Sequence, residues 1–98
     1  MTKKRPCVYM LASRRNGTLY TGVTSDVAGR LGAHRSGTVD GFTRRYNVQR
    51  LVLVEFHETM EDAILREKRI KKWRRAWKLA LIERYNPQWR DLADDLIS

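Results

Sequence analysis

The chain has 98 residues, 42% of them hydrophobic, with 20 Lys plus Arg against 11 Asp plus Glu and a formal charge of +9. That length suits one small domain, residues 1–98, with a single modest core, and the hydrophobic share excludes a disordered chain. A positive excess this large opposes folding unless a polyanion meets it, which points first to nucleic acid and second to an anionic membrane surface.

No apolar run approaches the roughly 20 residues of a membrane span, so no membrane partner is expected. The N-terminus is basic, but no apolar stretch with a small-residue cleavage site follows it. Cys7 is the single cysteine, which excludes an internal disulfide, and no Cys/His cluster has zinc spacing. A reducing cytoplasm is the expected compartment.

Val8–Ala12 and Thr18–Val23 are rich in strand-forming residues and flank Arg14-Arg15-Asn16-Gly17, a strong hairpin signal. A two-residue turn would set Ser13 opposite Tyr20. A four-residue turn would set Leu11 opposite Tyr20 and Tyr9 opposite Gly22. Side chains alternate along a strand, so in either register Tyr9 and Tyr20 share a face. The four-residue turn brings the rings within about 7 Å along the strands and leaves open space at Gly22. Val8, Met10, Ala12, Leu19 and Val23 occupy the other face, which reads as the core.

Thr24-Ser25-Asp26 is a capping cluster for a helix that runs to about Arg35 and stops near Ser36-Gly37. Val27 and Leu31 make its buried stripe. Arg30 and His34 are four apart and share a neighbouring face that reaches the sheet edge. Residues 36 to 50 read as a long polar loop. Leu51–Phe56 is a third strand without alternation, central or covered on both faces. Thr59 caps a long helix with the stripe Met60, Ala63, Ile64, Ile70 and Trp73, and Glu67 fills the gap in that stripe. A further helix starts at Arg74 or Arg75 and ends before Asn86-Pro87. Trp89, Leu92 and Leu96 form a short apolar tail that folds back. There is no internal repeat.

Several of these residues carry two readings. Glu67 on a buried stripe is either a snorkelling or salt-bridged carboxylate, or a ligand for Mg²⁺ or Mn²⁺, hard ions that take oxygen. Tyr9 and Tyr20 are packing residues or parts of a site. Arg30 and His34 make a solvated face, or else hold a scissile phosphate and move a proton. Asn86 is a helix stop or an amide that orients a phosphate or a neighbouring side chain. Between positions 66 and 78 eight cations surround the single acid Glu67: Arg66, Lys68, Arg69, Lys71, Lys72, Arg74, Arg75 and Lys78. With Trp73 and Trp77 among them, they read as a contact surface for a phosphate backbone. Arg44 and Arg45 extend it, with Tyr46 available to stack on an unpaired base.

In this order the residues resemble the GIY-YIG endonuclease superfamily. Its two strand motifs correspond to Cys7-Val8-Tyr9 and Tyr20-Thr21-Gly22, followed by Arg30 and His34, then Arg66-Glu67-Lys68, then Asn86. The chain is most similar to the small single-domain, stand-alone bacterial members often called YhbQ-like. That likeness runs through Tyr20-Thr21-Gly22-Val23-Thr24, Phe42-Thr43-Arg44-Arg45-Tyr46 and Asn86-Pro87-Gln88-Trp89. Cys7, Val8 and Thr21 depart from the motif, and Val23 and Thr24 stand where repair nucleases of the family carry a lysine. Any proton transfer given to that lysine passes to Tyr20 or His34, or is absent.

The resemblance implies an α+β fold in which helices flank a three-stranded antiparallel sheet, in the order β-β-α-β-α-α. It also implies phosphodiester hydrolysis with one divalent ion held by Glu67. Tyr20 would act as general base or water-orienting group with Tyr9 in support, Arg30 would stabilise the transition state, and His34 would bind phosphate or move protons. The expectation is an endonuclease on DNA, with RNA also open, selecting structure rather than sequence in repair or recombination. A binding module that cuts weakly or not at all, and a module docking on a larger repair assembly, are the alternatives.

Overall fold

The computed structural model of the chain describes residues 4–36 and 41–97. Its hairpin follows from strand propensity joined to one tight turn. β1 (Cys7–Ala12) and β2 (Leu19–Thr24) pair antiparallel, with Leu11 opposite Tyr20 and Tyr9 opposite Gly22. This is the register of the four-residue turn. Gly17 N–H donates to the Arg14 carbonyl at 2.9 Å, and Ser13 N–H donates to the Thr18 carbonyl at 3.0 Å. Asn16 takes the left-handed φ of 58° that such a turn demands, a conformation asparagine tolerates.

β3 (Arg50–Phe56) pairs antiparallel with β1, so the sheet order is β2-β1-β3. The strand read as possibly central is therefore an edge strand, and β1 is the centre. An uninterrupted apolar run reports burial on both faces; it does not report how many neighbours a strand has. A bulge explains the lost alternation. Met10 pairs with Leu53 but Leu11 with Leu51, which leaves Val52 as the extra residue. Val52 and Leu53 both enter one core cluster, and Leu51 enters the other.

Both faces of the sheet are covered. Val8, Met10 and Ala12 pack with Ala63, Ile70, Ile82 and Trp89 on one side. Cys7, Tyr9 and Leu11 pack with Val27, Leu31, Val48 and Ala93 on the other. The expectation that only the first face is core is thus corrected, because α1 (Val27–Ser36) and α5 (Ala93–Ile97) lie over the tyrosine face. Burial there pushes the Cys7 thiol up to about 11, which leaves it inert at neutral pH.

Local chemistry sets the helix starts. Asp26 Oδ1 accepts the Gly29 N–H at 3.2 Å, and Thr24 Oγ1 accepts the Asp26 N–H at 3.0 Å. The stop expected at Gly37 lies outside the described residues. The stretch read as a plain loop contains α2 (Gly41–Arg45), five residues too short to show a period, followed by the fully buried Val48. α3 (Met60–Lys72) starts on Thr59, whose hydroxyl accepts the Asp62 N–H at 3.1 Å. α4 (Arg75–Tyr85) ends on Asn86, and Trp89 beyond it is fully buried, so the apolar tail folds back as expected. Among the described residues no helix is long and apolar enough to cross a membrane.

Candidate active site

The hairpin register and the helical spacing of α1 bring three of the anticipated side chains together. Tyr9 Oη lies 2.8 Å from His34 Nε2, and both residues are buried. The Tyr20 ring stands 6.1 Å from that of Tyr9 and 5.0 Å from the His34 imidazole, centroid to centroid. Gly22 makes this possible. A Cβ there would fall 2.5 Å from Tyr9 Cζ and Oη, so the expected open space is filled by the Tyr9 ring itself. Tyr20 is half-buried and closes the cluster on its outer side.

Burial is the largest influence on the Tyr9 phenol and pushes its ionisation far above the ordinary value. The neighbouring Tyr20 adds to this, while the positive charge of Arg30 partly opposes it. Tyr9 therefore keeps its proton at neutral pH. Arg30 is exposed on α1, and its guanidinium makes no side-chain hydrogen bond or ion pair among the described residues. A planar cation in that state can take a phosphate through two parallel hydrogen bonds.

Glu67 sits between Ala63 and Ile70 on the buried stripe of α3 and is 9% exposed. That stripe packs on the sheet face opposite Tyr9, while α1 covers the tyrosine face. The two helices approach the sheet from opposite sides, and α3 lies over β2 and β1. The carboxylate has one polar partner among the described residues, Lys71 Nζ at 2.7 Å from Oε2. Every fully buried side-chain nitrogen or oxygen among the described residues has a partner, so the unpaired Oε1 reaches solvent. No three His, Cys, Asp or Glu side chains gather among the described residues. One open carboxylate oxygen fits a hard cation that keeps most of its waters and does not fit a zinc-like cage.

Asn86 occupies a different setting. Its amide donates to the carbonyls of Val52 at 3.1 Å and Arg90 at 2.9 Å, and its Oδ1 accepts the Arg90 N–H at 3.0 Å. These bonds tie the end of α4 to β3 and close the turn after Pro87. The residue read as a helix stop, or as an amide that orients a phosphate or a neighbouring side chain, thus ends α4 and bonds backbone groups inside the fold.

The basic surface is mostly exposed: Arg44, Arg45, Lys68, Arg69, Lys71, Lys72, Arg74 and Arg75 all reach solvent. Several of these cations have additional partners. Arg75 Nη2 donates to the carbonyls of Asn16 at 2.7 Å and Gly17 at 2.6 Å, pinning the hairpin tip. Lys78 is half-buried and reaches the Lys71 carbonyl at 3.4 Å. Arg66, which opens the basic run, instead bonds Glu55 at 2.9 and 3.2 Å. Tyr46 is exposed, with Arg45 over its ring at 5.5 Å and Phe42 4.9 Å away.

Two residues that pattern reasoning did not single out complete the cluster. Phe42 links Tyr20 to Tyr46, its ring 6.4 Å from Tyr20. Thr43 Oγ1 lies 3.1 Å from His34 Nδ1. Neither stands in a periodic segment, and the only sign of them was their place in Phe42-Thr43-Arg44-Arg45-Tyr46.

Comparison with known proteins gives the family and the fold. The GIY-YIG catalytic domain family matches residues 5–80. The UPF0213 proteins of Staphylococcus aureus strains Mu3 and Mu50 are each 38% identical over 68 residues, covering 69% of this chain and 83% of theirs. A UPF0213 protein of Bacillus halodurans, solved by solution NMR, shares 30% identity with a TM-score of 0.56, covering 89% of this chain and 92% of its own. The matched family and the fold are those of a nuclease-type domain: the chain belongs to the GIY-YIG family, with UPF0213 proteins among its relatives. The family is one of nucleases that generally use a divalent metal, so its substrates are nucleic acids.

Proposed function

We propose that this protein is a cytoplasmic endonuclease, residues 1–98 acting as one domain, that hydrolyses phosphodiester bonds in DNA and selects structure rather than sequence. The observation that carries this reading is the buried Tyr9–His34 pair with Tyr20 packed against it and the unpaired Arg30 guanidinium on the same helix as His34. A divalent ion on Glu67, Mg²⁺ or Mn²⁺, would supply positive charge to the phosphate and its leaving oxygen. Arg30 would grip the non-bridging oxygens and offset charge in the transition state. Tyr20, the member of the pair nearer solvent, would take the proton of the attacking water or orient it. Tyr9, held neutral by burial, would act as a fixed hydrogen-bond donor to His34. Asn86 would serve the site only by holding α4 against β3. Arg44, Arg45, Lys68, Arg69, Lys71, Lys72, Arg74, Arg75 and Lys78 would hold the backbone, and Tyr46 would stack on a base. Such contacts carry little sequence information, which suits branched, flapped or damaged DNA in repair or recombination.

The test is cleavage of a panel of branched DNA, single strands, duplex and RNA with Mg²⁺ or Mn²⁺. The expected result is cutting that EDTA removes. Glu67→Ala and Arg30→Ala should lower turnover by at least about 100-fold while binding persists. Tight binding by the wild type without any cutting would replace this reading with that of a binding module.

A further inference from the structure

We propose that a groove between α3 and α4 takes one unpaired base of a nucleic-acid strand, stacked on the Trp77 indole. The inference rests on the reading of nucleic acid as substrate and names the part of it that this surface recognises, a single-stranded nucleotide.

The groove has a volume of about 320 Å³ and is lined by Arg66, Trp73, Trp77, Ala80, Leu81 and Arg84. Trp77, Ala80, Leu81 and Arg84 stand at i, i+3, i+4 and i+7 of α4, so they share one face. Arg66 and Trp73 line it from α3 and its C-cap. Trp73 packs half-buried against the core and Trp89 is fully buried, but Trp77 is 54% exposed. An indole left that open on a patterned face marks a contact surface. The Trp73 and Trp77 rings meet at 80° with centroids 6.2 Å apart. They form a corner, so a flat ring lies against an indole and does not slip between the two. Ala80, one turn on from Trp77, is too small to fill the space beside it.

Charge selects the occupant. Arg74 lies over the Trp77 ring at 5.1 Å and Arg84 borders the groove, and neither guanidinium forms an ion pair or hydrogen bond among the described residues. Arg66 differs: Glu55 holds it at 2.9 and 3.2 Å, and it covers the Trp73 ring at 5.1 Å as a fixed wall. From position 66 to 84 there are nine cations and two acids, Glu67 and Glu83, and Glu83 is taken by the Trp89 indole N–H at 3.0 Å. Open aromatic faces beside unpaired cations suit a single strand, whose bases stack while its phosphates meet the charges. A second copy of the chain is disfavoured, because each carries +9. Arg66 directly precedes Glu67, so the groove begins on the helix that bears the proposed metal ligand. A base seated there would bring its neighbouring phosphates toward that carboxylate and favour flaps or gaps without any reading of sequence.

The test compares binding of a fully paired DNA duplex with that of the same duplex bearing a single-stranded thymidine tail, without divalent ion so that nothing is cut. The tail should quench tryptophan fluorescence and raise affinity. Trp77→Ala should lower affinity for the tailed DNA about 5- to 150-fold and for the duplex by less than about twofold. Trp77→Phe should keep the preference for the tail, because it returns a stacking face. Ala80→Leu fills the groove without altering charge or ring and should remove the preference. Both positions are exposed, so the fold survives these changes. Equal wild-type affinity for the two DNAs, or a tail preference that persists in either Trp77→Ala or Ala80→Leu, overturns the proposal. Quenching on raising the protein concentration alone also overturns it, since a second copy would then cover the groove. A wild type that prefers the tail in this way but cuts nothing when Mg²⁺ or Mn²⁺ is added removes the nuclease reading and leaves this one standing. Metal-dependent cutting with no tail preference does the reverse.

Discussion

Gly22 and Tyr9 constrain one another across the β1–β2 pair. A methyl group at Gly22 would meet the Tyr9 ring at 2.5 Å, and that ring has no room to move because it is buried against α1. Gly22→Ala should therefore displace Tyr9, break its bond to His34 and cost about 1–3 kcal/mol, the usual penalty for overpacking. Urea unfolding checks the energy, and the His34 imidazole resonances check the broken bond. Asn86→Ala makes a contrasting case. It leaves the Val52 and Arg90 carbonyls short of a donor and should cost roughly 1–3 kcal/mol. Turnover per folded molecule, measured below the melting transition, should stay close to that of the wild type. Loss of cleavage in a fully folded Asn86→Ala protein would instead mean that the amide touches substrate.

At the scale of elements, β3 and α3 are joined through Glu55. Burial alone would raise its carboxyl; the bonds from Arg66 and His57 outweigh burial and hold it below the ordinary value. The folded value lies beneath the unfolded one, so the contribution to stability is complete above the unfolded value, about 4.3, and is lost as pH falls through the folded value. Glu55→Gln should accordingly flatten the acid side of the stability–pH curve and leave the neutral side sloped as before, which a series of chemical denaturations can measure.

The elements also show what a sequence can reveal. The hairpin was readable because Asn16-Gly17 and strand alternation act locally, and parity alone puts both tyrosines on one face. The stripe on α3 was readable because Glu67 breaks a clear period. The rank of β3 in the sheet was not, since pairing partners are a tertiary choice, and neither was α2, whose five residues are too few to show a period. The structure also gives Asn86 bonds that its position before Pro87 only hinted at, because a helix stop and a buried amide clamp look alike in one dimension.

Over the whole molecule the charge of +9 sets how the protein meets its partner. Binding to DNA should fall steeply with salt. Replacing Lys68, Lys72 and Arg74 together by alanine should lower the logarithmic slope by about one for each phosphate no longer neutralised. Titrations at several salt concentrations read that slope. In the proposed reading the charge would bring a substrate to the surface, and hydrolysis would require the two helices on opposite sheet faces to present Arg30 and Glu67 to one phosphate at the β2 edge. Paramagnetic broadening by Mn²⁺ tests that convergence most directly. The account predicts that the ion quenches the NMR signals of Glu67, Arg30 and Tyr20 most strongly, and that Glu67→Gln abolishes the effect. An ion that localises away from Arg30 and Tyr20, or that binds unchanged in Glu67→Gln, would contradict it.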